Sequence, residues 1–334
     1  MYIFYFDSGT SNSRGYLLKD GKVIGMKKIS LGSKDVSQSG DRTLLPNGLK
    51  ALYDEVLSEA SVTDRQIEKI YASGMISSPF GLVEVPHALV PFSAKELADS
   101  IYPFEETLAF HRMIYIIPGA KTADGIVDLK NISQVNNVRG EEIEAIGVKN
   151  FVPPTWKSGK YIILFPGSHT HALLFEGDRI IDILSNFSGE VFHAITTATI
   201  LAGSTRVDAA NKNPIPDTDA VTTGLHALKE YGFARGVYTV HATKIFDAAN
   251  NCQRRDMLSG IITGTVFQSL DLNIRRKWTD VSRLAIYGDS ASILTCTKAA
   301  EIFTPYLQVE GISNDQAEKI CSVEGLLNII KEKK

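Results

Sequence analysis

A pattern of strand, glycine turn, strand and hairpin occurs twice in this chain, the copies lying about half its length apart. Near the start, the apolar run 2–6 stops at Asp7-Ser8-Gly9-Thr10-Ser11-Asn12, and the runs 14–18 and 22–29 flank the hairpin signal Lys19-Asp20-Gly21. In the middle, the run 161–165 stops at Pro166-Gly167-Ser168-His169-Thr170, and the run 172–175 leads into Glu176-Gly177-Asp178. Gly9 and Gly167 are 158 residues apart and Gly21 and Gly177 are 156 apart, so the second copy has a loop shortened by two. A period of half the chain excludes a solenoid and predicts two related domains with a cleft.

The rest of the chain is consistent with that plan. After the first meander, Leu45, Leu49, Leu52, Val56 and Leu57 recur at helical spacing, and 67–72 reads as a strand running into Ser73-Gly74. After the second, helices are expected over 190–202, 218–231, 240–250 and 258–275, a strand over 284–287, a helix to about 300 and a strand near 305–309. The fold class is therefore α/β, with two duplicated βββαβα domains. Val152-Pro153-Pro154-Thr155 and Lys157-Ser158-Gly159-Lys160 break any element, which puts the domains at 1–155 and 156–334. A length of 334 residues suits two domains.

Composition narrows the function classes. Lys plus Arg number 35 against 38 Asp plus Glu, so no overall positive field draws the chain to nucleic acid or anionic lipid, and any phosphate must be held locally. Cys252, Cys296 and Cys321 match neither a disulfide framework nor a metal-ligand spacing. No run approaches 18 apolar residues and the first residues lack a secretory pattern, so the expectation is a cytoplasmic protein without membrane partners.

Small-residue turns between strands can aim several backbone amides at one point and bind phosphate oxygens without lysines. Gly9-Thr10-Ser11-Asn12 and Gly167-Ser168-His169-Thr170 are such turns, and having both favours phosphate over plain hydroxyl-capped turns. Asp7, beside the first, is suited to hold Mg²⁺ bridging phosphate oxygens. Arg139-Gly140-Glu141-Glu142 opens a helix. The helix dipole explains the acids, but not the Arg-Gly pair, which suggests close approach of an anion with a glutamate to deprotonate a hydroxyl or water. Gly288-Asp289-Ser290 follows a strand and opens a helix, where nucleotides lodge, on the adenosine side. His169 and His171 are read as a polar pair and not as zinc ligands, and the glycines of 258–264 as packing positions.

Taken together, DSGTSNSR at 7–14, SGMISS at 73–78, VEVP at 83–86, VRGEEIEAIG at 138–147, FPGSHTH at 165–171, SGE at 188–190 and LSGIITG at 258–264 resemble the 2-dehydro-3-deoxygalactonokinase family, in family order across nearly the whole chain. The resemblance implies the actin-like ATPase (ribonuclease H-like) fold of the sugar kinases, with ATP and Mg²⁺ phosphorylating the terminal C6 hydroxyl of 2-dehydro-3-deoxy-galactonate or a close 2-keto-3-deoxy aldonate. It implies that Asp7 to Asn12 form the first phosphate loop and Gly167 to Thr170 the second. Glu141 or Glu142 would be the base, and Ser73, Gly74, Met75, Glu84 and Arg139 would face the sugar acid. The chain departs from the family pattern at Ser8, at Pro79-Phe80 and at His171-Ala172. The alternatives are an actin-fold phosphohydrolase of nucleotide or polyphosphate and a catalytically silent sugar-acid sensor, and the chain can be a monomer or a homodimer.

Overall fold

Why residues 2–6 make a strand is visible in their burial: Ile3, Phe4, Tyr5 and Phe6 are all buried, the mark of a central strand covered on both faces. In the computed structural model, which describes residues 1–207, 215–315 and 320–333, this strand is the spine of the first of two units. Unit 1 comprises residues 1–150, 178–183 and 320–334, and unit 2 comprises 151–177 and 184–319.

Unit 1 opens with β1 (Tyr2–Ser8), β2 (Ser13–Lys19) and β3 (Lys22–Ile29), followed by α1 (Ser33–Ser39), α2 (Leu44–Glu59) and β4 (Ile67–Gly74). It continues through β5 (Ala88–Leu89), α3 (Ala94–Asp99), β6 (Tyr102–Glu106), β7 (Arg112–Ile116), β8 (Ala120–Lys121), β9 (Asn137–Val138) and α4 (Glu141–Val148). The main sheet runs β3-β2-β1-β4-β7-β6, with β1 antiparallel to β2 and parallel to β4; β5, β8 and β9 form a separate small sheet. Helix α2 lays Leu45, Leu49, Leu52, Tyr53 and Val56 on the sheet, against Phe4 and Phe6, as its spacing predicts. The rings of Phe4 and Tyr53 meet edge to face at 4.7 Å, and each such buried side chain is worth roughly 1.5–3 kcal/mol.

Unit 2 repeats the order. It holds β10 (Lys160–Phe165), β11 (Thr170–Glu176), β12 (Arg179–Asn186), α5 (Gly189–Ala198), α6 (Thr218–Tyr231), α7 (Phe233–Ile245), α8 (Asn251–Arg276), β13 (Arg283–Gly288), α9 (Ser290–Phe303) and β14 (Gln308–Ser313). Its sheet runs β12-β11-β10-β13-β14, with β10 antiparallel to β11 and parallel to β13, matching β3-β2-β1-β4 strand for strand. Helix α7 starts earlier than the expected 240 because Gly232, at φ 78°, breaks α6 and lets a new helix begin at Phe233. Among the described residues, no helix is long and apolar enough to cross a membrane.

The last helix, α10 (Cys321–Glu332), falls in unit 1, as do residues 178–183 at the start of β12, where Phe92 bridges Ile180 and Arg179 pairs with Glu96 at 2.9 Å.

Candidate active site

The first turn sits at the carboxyl end of β1. Register places Asp7 beside Ser73 and Ser8 beside Gly74, so the ends of β1 and β4 deliver both motifs to one place. Gly74 is at φ 80°, and a side chain there would meet the Ser8 carbonyl oxygen at 2.4 Å. Gly140, at φ 113°, stands against the same glycine: a Cβ on it would lie 3.6 Å from Gly74 Cα. Three sequence motifs spread over more than 130 residues thus converge, Gly74 omitting a side chain that would strike Ser8 and Gly140 taking a φ that side chains avoid. Ser73 is fully buried, its hydroxyl bonded to Tyr5 Oη at 2.6 Å.

Helix α1 closes the first turn from the other side. Ser33 and Lys34 donate their amides to the carbonyls of Gly9 and Thr10, at 3.3 and 2.9 Å, and Gly9 donates to Asn12 at 2.8 Å. Among the described residues the amides of Thr10 and Ser11 donate to no backbone carbonyl, which leaves them available to an anion. Below the turn, Ser8 Oγ and Ser13 Oγ are 2.8 Å apart, both buried.

Carboxylates surround this point. Asp7 Oδ2 accepts from Arg14 Nη1 at 3.1 Å; burial raises its pKa, and the arginine opposes that rise. Glu141 is pushed up to about 7, chiefly by burial and further by the charge of Asp7, while the amides of Glu141 and Arg139 pull the other way. Glu144, one turn along the same helix face, is raised to about 8 by burial and by the charges of Asp7 and Glu141. Sequence reading passed over Glu144; its spacing of three from Glu141 was the available signal.

Glu142 behaves differently. It is fully buried, and its two oxygens accept the Gly140 amide at 3.0 and 2.8 Å. Arg139 is also committed. Its Nη1 donates to the carbonyl and hydroxyl of Ser77 at 2.7 and 2.6 Å, both terminal nitrogens reach the Val85 carbonyl at 3.3 Å, and Nη2 is 3.4 Å from His87 Nδ1. Burial and the Arg139 charge lower the His87 pKa to about 4. Met75 follows Gly74 into a short turn and is partly exposed, whereas Glu84 is exposed.

Unit 2 carries its own cavity, of about 370 Å³. The turn residues Gly167 and Thr170 line it, together with Ser188 and Gly189 at the start of α5, Ser259 and Thr263 of α8, and Asp289 and Ser292 at the start of α9. Among the described residues, no lysine, arginine or histidine lines it. A Cβ on Gly189 would meet the Gly167 carbonyl oxygen at 2.4 Å, and Glu190 donates its amide to Ser168 at 3.0 Å, repeating the way α1 closes the first turn. Thr170 Oγ1 and Ser188 Oγ are 2.7 Å apart. Gly260 and Gly264 are packing positions, against Val221 and Leu228, while the residue before each, Ser259 and Thr263, lines the cavity.

His169 and Ser168 are exposed at the turn's tip, and His171 is buried against Ser185 at 2.9 Å. Gly288 is buried, and Ser290 bonds Asp315 instead of lining the cavity. Sequence reading missed Ser188, Gly189, Ser259, Thr263 and Ser292 as cavity residues, although the first four lie inside blocks that carry the resemblance. Among the described residues, no group of three or more His, Cys, Asp or Glu is arranged to hold a metal ion unaided.

Comparison with known proteins gives the family. Residues 7–329 match the profile of the 2-keto-3-deoxy-galactonokinase family. The chain belongs to that family. It is 23% identical over 266 residues to the Rhizobium meliloti (strain 1021) protein named "Probable 2-dehydro-3-deoxygalactonokinase DgoK1", spanning 79% of this chain and 78% of that one. Its fold matches the crystal structure of a Sinorhizobium meliloti protein assigned as a 2-dehydro-3-deoxygalactonokinase, with TM-score 0.74, 18% identity and coverage of 99% and 98% of the two chains. An activator of 2-hydroxyisocaproyl-CoA dehydratase from Clostridium difficile, solved with bound ADPNP, gives TM-score 0.51 at 14% identity over 100% of this chain and 96% of that one. The fold is that of the actin-like ATPases and sugar kinases, and family membership makes the chain a phosphotransferase with an alcohol acceptor.

Proposed function

We propose that this kinase transfers the terminal phosphoryl group of ATP to the C6 hydroxyl of 2-keto-3-deoxy-galactonate or a close 2-keto-3-deoxy aldonate, with Glu141 as the base. One observation carries the reading: of two adjacent glutamates, Glu142 is spent on the Gly140 amide while Glu141 stands beside Asp7 with its pKa raised to about 7. A carboxylate that titrates near neutrality accepts a hydroxyl proton far better than an ordinary one. Resolving the pair goes beyond what residue types allow, since both are glutamates at a helix start.

A magnesium nucleotide suits the donor set. Asp7 adds a hard oxygen ligand near Glu141 and Glu144, whose pKa values are raised chiefly by burial and further by the charge of Asp7, an environment a divalent cation would suit. Phosphate oxygens and water would complete the shell, as is usual for Mg²⁺. When bound, the nucleotide supplies the phosphoryl group and the ion neutralises its oxygens. The amides of Thr10 and Ser11, and the Gly167–Thr170 turn with Ser188, would hold phosphate; Asp289 would lie toward the adenosine. Ser73, Gly74, Met75 and Glu84 would meet the sugar acid, with Arg139 bracing their loop through Ser77 and Val85.

The test is ADP release measured with ATP, Mg²⁺ and a panel of 2-keto-3-deoxy acids. Release that requires the acid is expected; ATP consumption equally fast without any acid refutes the kinase reading in favour of hydrolysis.

A further inference from the structure

Helix α4 carries Glu141, and what stands behind it is not part of any motif. The C-terminal helix α10 crosses it in backbone contact within unit 1. A Cβ on Gly325 of α10 would lie 1.9 Å from the Ile143 carbonyl oxygen, and a Cβ on Gly147 of α4 would lie 2.0 Å from the Cys321 carbonyl oxygen. The arrangement is reciprocal: each glycine seats on the residue four positions before the other glycine, so the two helices meet with no side chain between them. Asn328 adds a bond from α10 to the Ile146 carbonyl at 3.3 Å and lies 3.4 Å from Asn150 Oδ1.

The crossing bears on the site through helix geometry. At about 100° per residue, Ile143 points about 160° and Gly147 about 120° away from Glu141, so α10 presses on the side of α4 turned away from the base. The position of Glu141 relative to Asp7 is therefore a sum of two contacts: α10 behind, and the Gly140–Gly74 approach in front. Tyr16 joins the two sides, its hydroxyl hydrogen-bonded to Ser322 of α10 and its ring region sensing the charges of Asp7 and Glu144. Protein interiors transmit such displacements because they are close-packed.

We infer that α10 is a positioning element for catalysis, and that the Gly147–Gly325 crossing sets the depth at which Glu141 is held. The inference rests on the assignment of Glu141 as base. Ordinary contact begins near 3.4 Å, so a methyl at Gly325 must part α10 and α4 by about 1.5 Å, and displacement of α4 carries Glu141 relative to Asp7. Misplacing a reacting group by about 1 Å costs about 100-fold in rate.

The experiment is steady-state kinetics of Gly325→Ala in the full chain, with its crystal structure. The expected result is kcat lowered about 100-fold, KM for ATP within twofold of the parent, and α4 shifted by more than 1 Å relative to β1 and β4. A folded variant with kcat within threefold, or with α4 unmoved, overturns the inference, as does a rise in KM at unchanged kcat. If Gly325→Ala fails to fold, Asn328→Ala decides, because it adds no volume: a threefold or larger fall in kcat at unchanged KM supports the inference, and parental kinetics overturn it. A parent without turnover on any 2-keto-3-deoxy acid would refute the kinase reading instead, and the displacement of α4 would still decide this inference.

Discussion

Replacing Glu141 with Gln separates its chemical role from its energetic cost, and the two effects have opposite signs. The structure holds the Glu141 carboxyl half-buried beside Asp7, and desolvation with the charge of Asp7 raises its pKa from the ordinary 4.5 to about 7. Between those values the folded chain keeps a proton that the unfolded chain releases, so the folded state loses stability as pH rises from about 4.5 to about 7 and nothing further above that. At 1.36 kcal/mol per pH unit, the penalty grows from under about 1 kcal/mol at pH 5 to at most about 3 kcal/mol at pH 8. Glutamine never ionises and escapes it. Glu141→Gln should thus unfold at higher urea concentration than the parent at pH 8, with the gap closing toward pH 5. In the kinase assay it should lose about 10²–10⁴ of its turnover, the usual worth of a general base, and the parent's kcat/KM should fall tenfold per unit below about pH 7. A variant within threefold of parental activity, or a stability gap that is the same at pH 5 and pH 8, would refute the reasoning.

Asp7→Ala should abolish Mg²⁺-dependent turnover while leaving the fold intact; activity within threefold, under ~1 kcal/mol, would remove Asp7 from the metal's shell. Gly74→Ala puts a Cβ 2.4 Å from the Ser8 carbonyl oxygen at a φ of 80° that side chains avoid, so a loss of about 2–3 kcal/mol in a denaturant melt is expected alongside much slower turnover. Arg139→Ala frees the Ser77 and Val85 carbonyls, and should raise KM for the sugar acid far more than KM for ATP; equal changes in both would argue against a brace for the substrate loop. Gly189→Ala would collide with the Gly167 carbonyl at 2.4 Å, and binding of an ATP analogue measured by calorimetry should weaken at least tenfold.

Several of these residues were legible in order along the chain, because backbone turns leave local marks. The repeated Gly-hydroxyl turns, the hairpin glycines Gly21 and Gly177, and the helical spacing of Leu45 to Val56 each depend on neighbours a few positions away, and these elements stand where the pattern put them. The same holds for Asp7 and Gly140-Glu141, which sit at the ends of elements whose starts and stops are local events. What escaped were contacts without a local signature. Strands β6 and β7, the cavity hydroxyls of Ser259 and Thr263, and Glu144 all acquire their setting from segments far away in sequence.

The chain's order of residues determined that there would be two copies of one α/β plan, each with a phosphate-type turn after its first strand. Tertiary structure alone decided the setting of each group: that Glu142 is bound to the Gly140 amide, that Arg139 is spent on partners 62 and 54 residues away, and that the last helix joins the first unit. The physical reason is that a charged group's role depends on what satisfies it. Hydrogen bonds, burial and nearby charge are supplied by residues the chain brings close only when it folds.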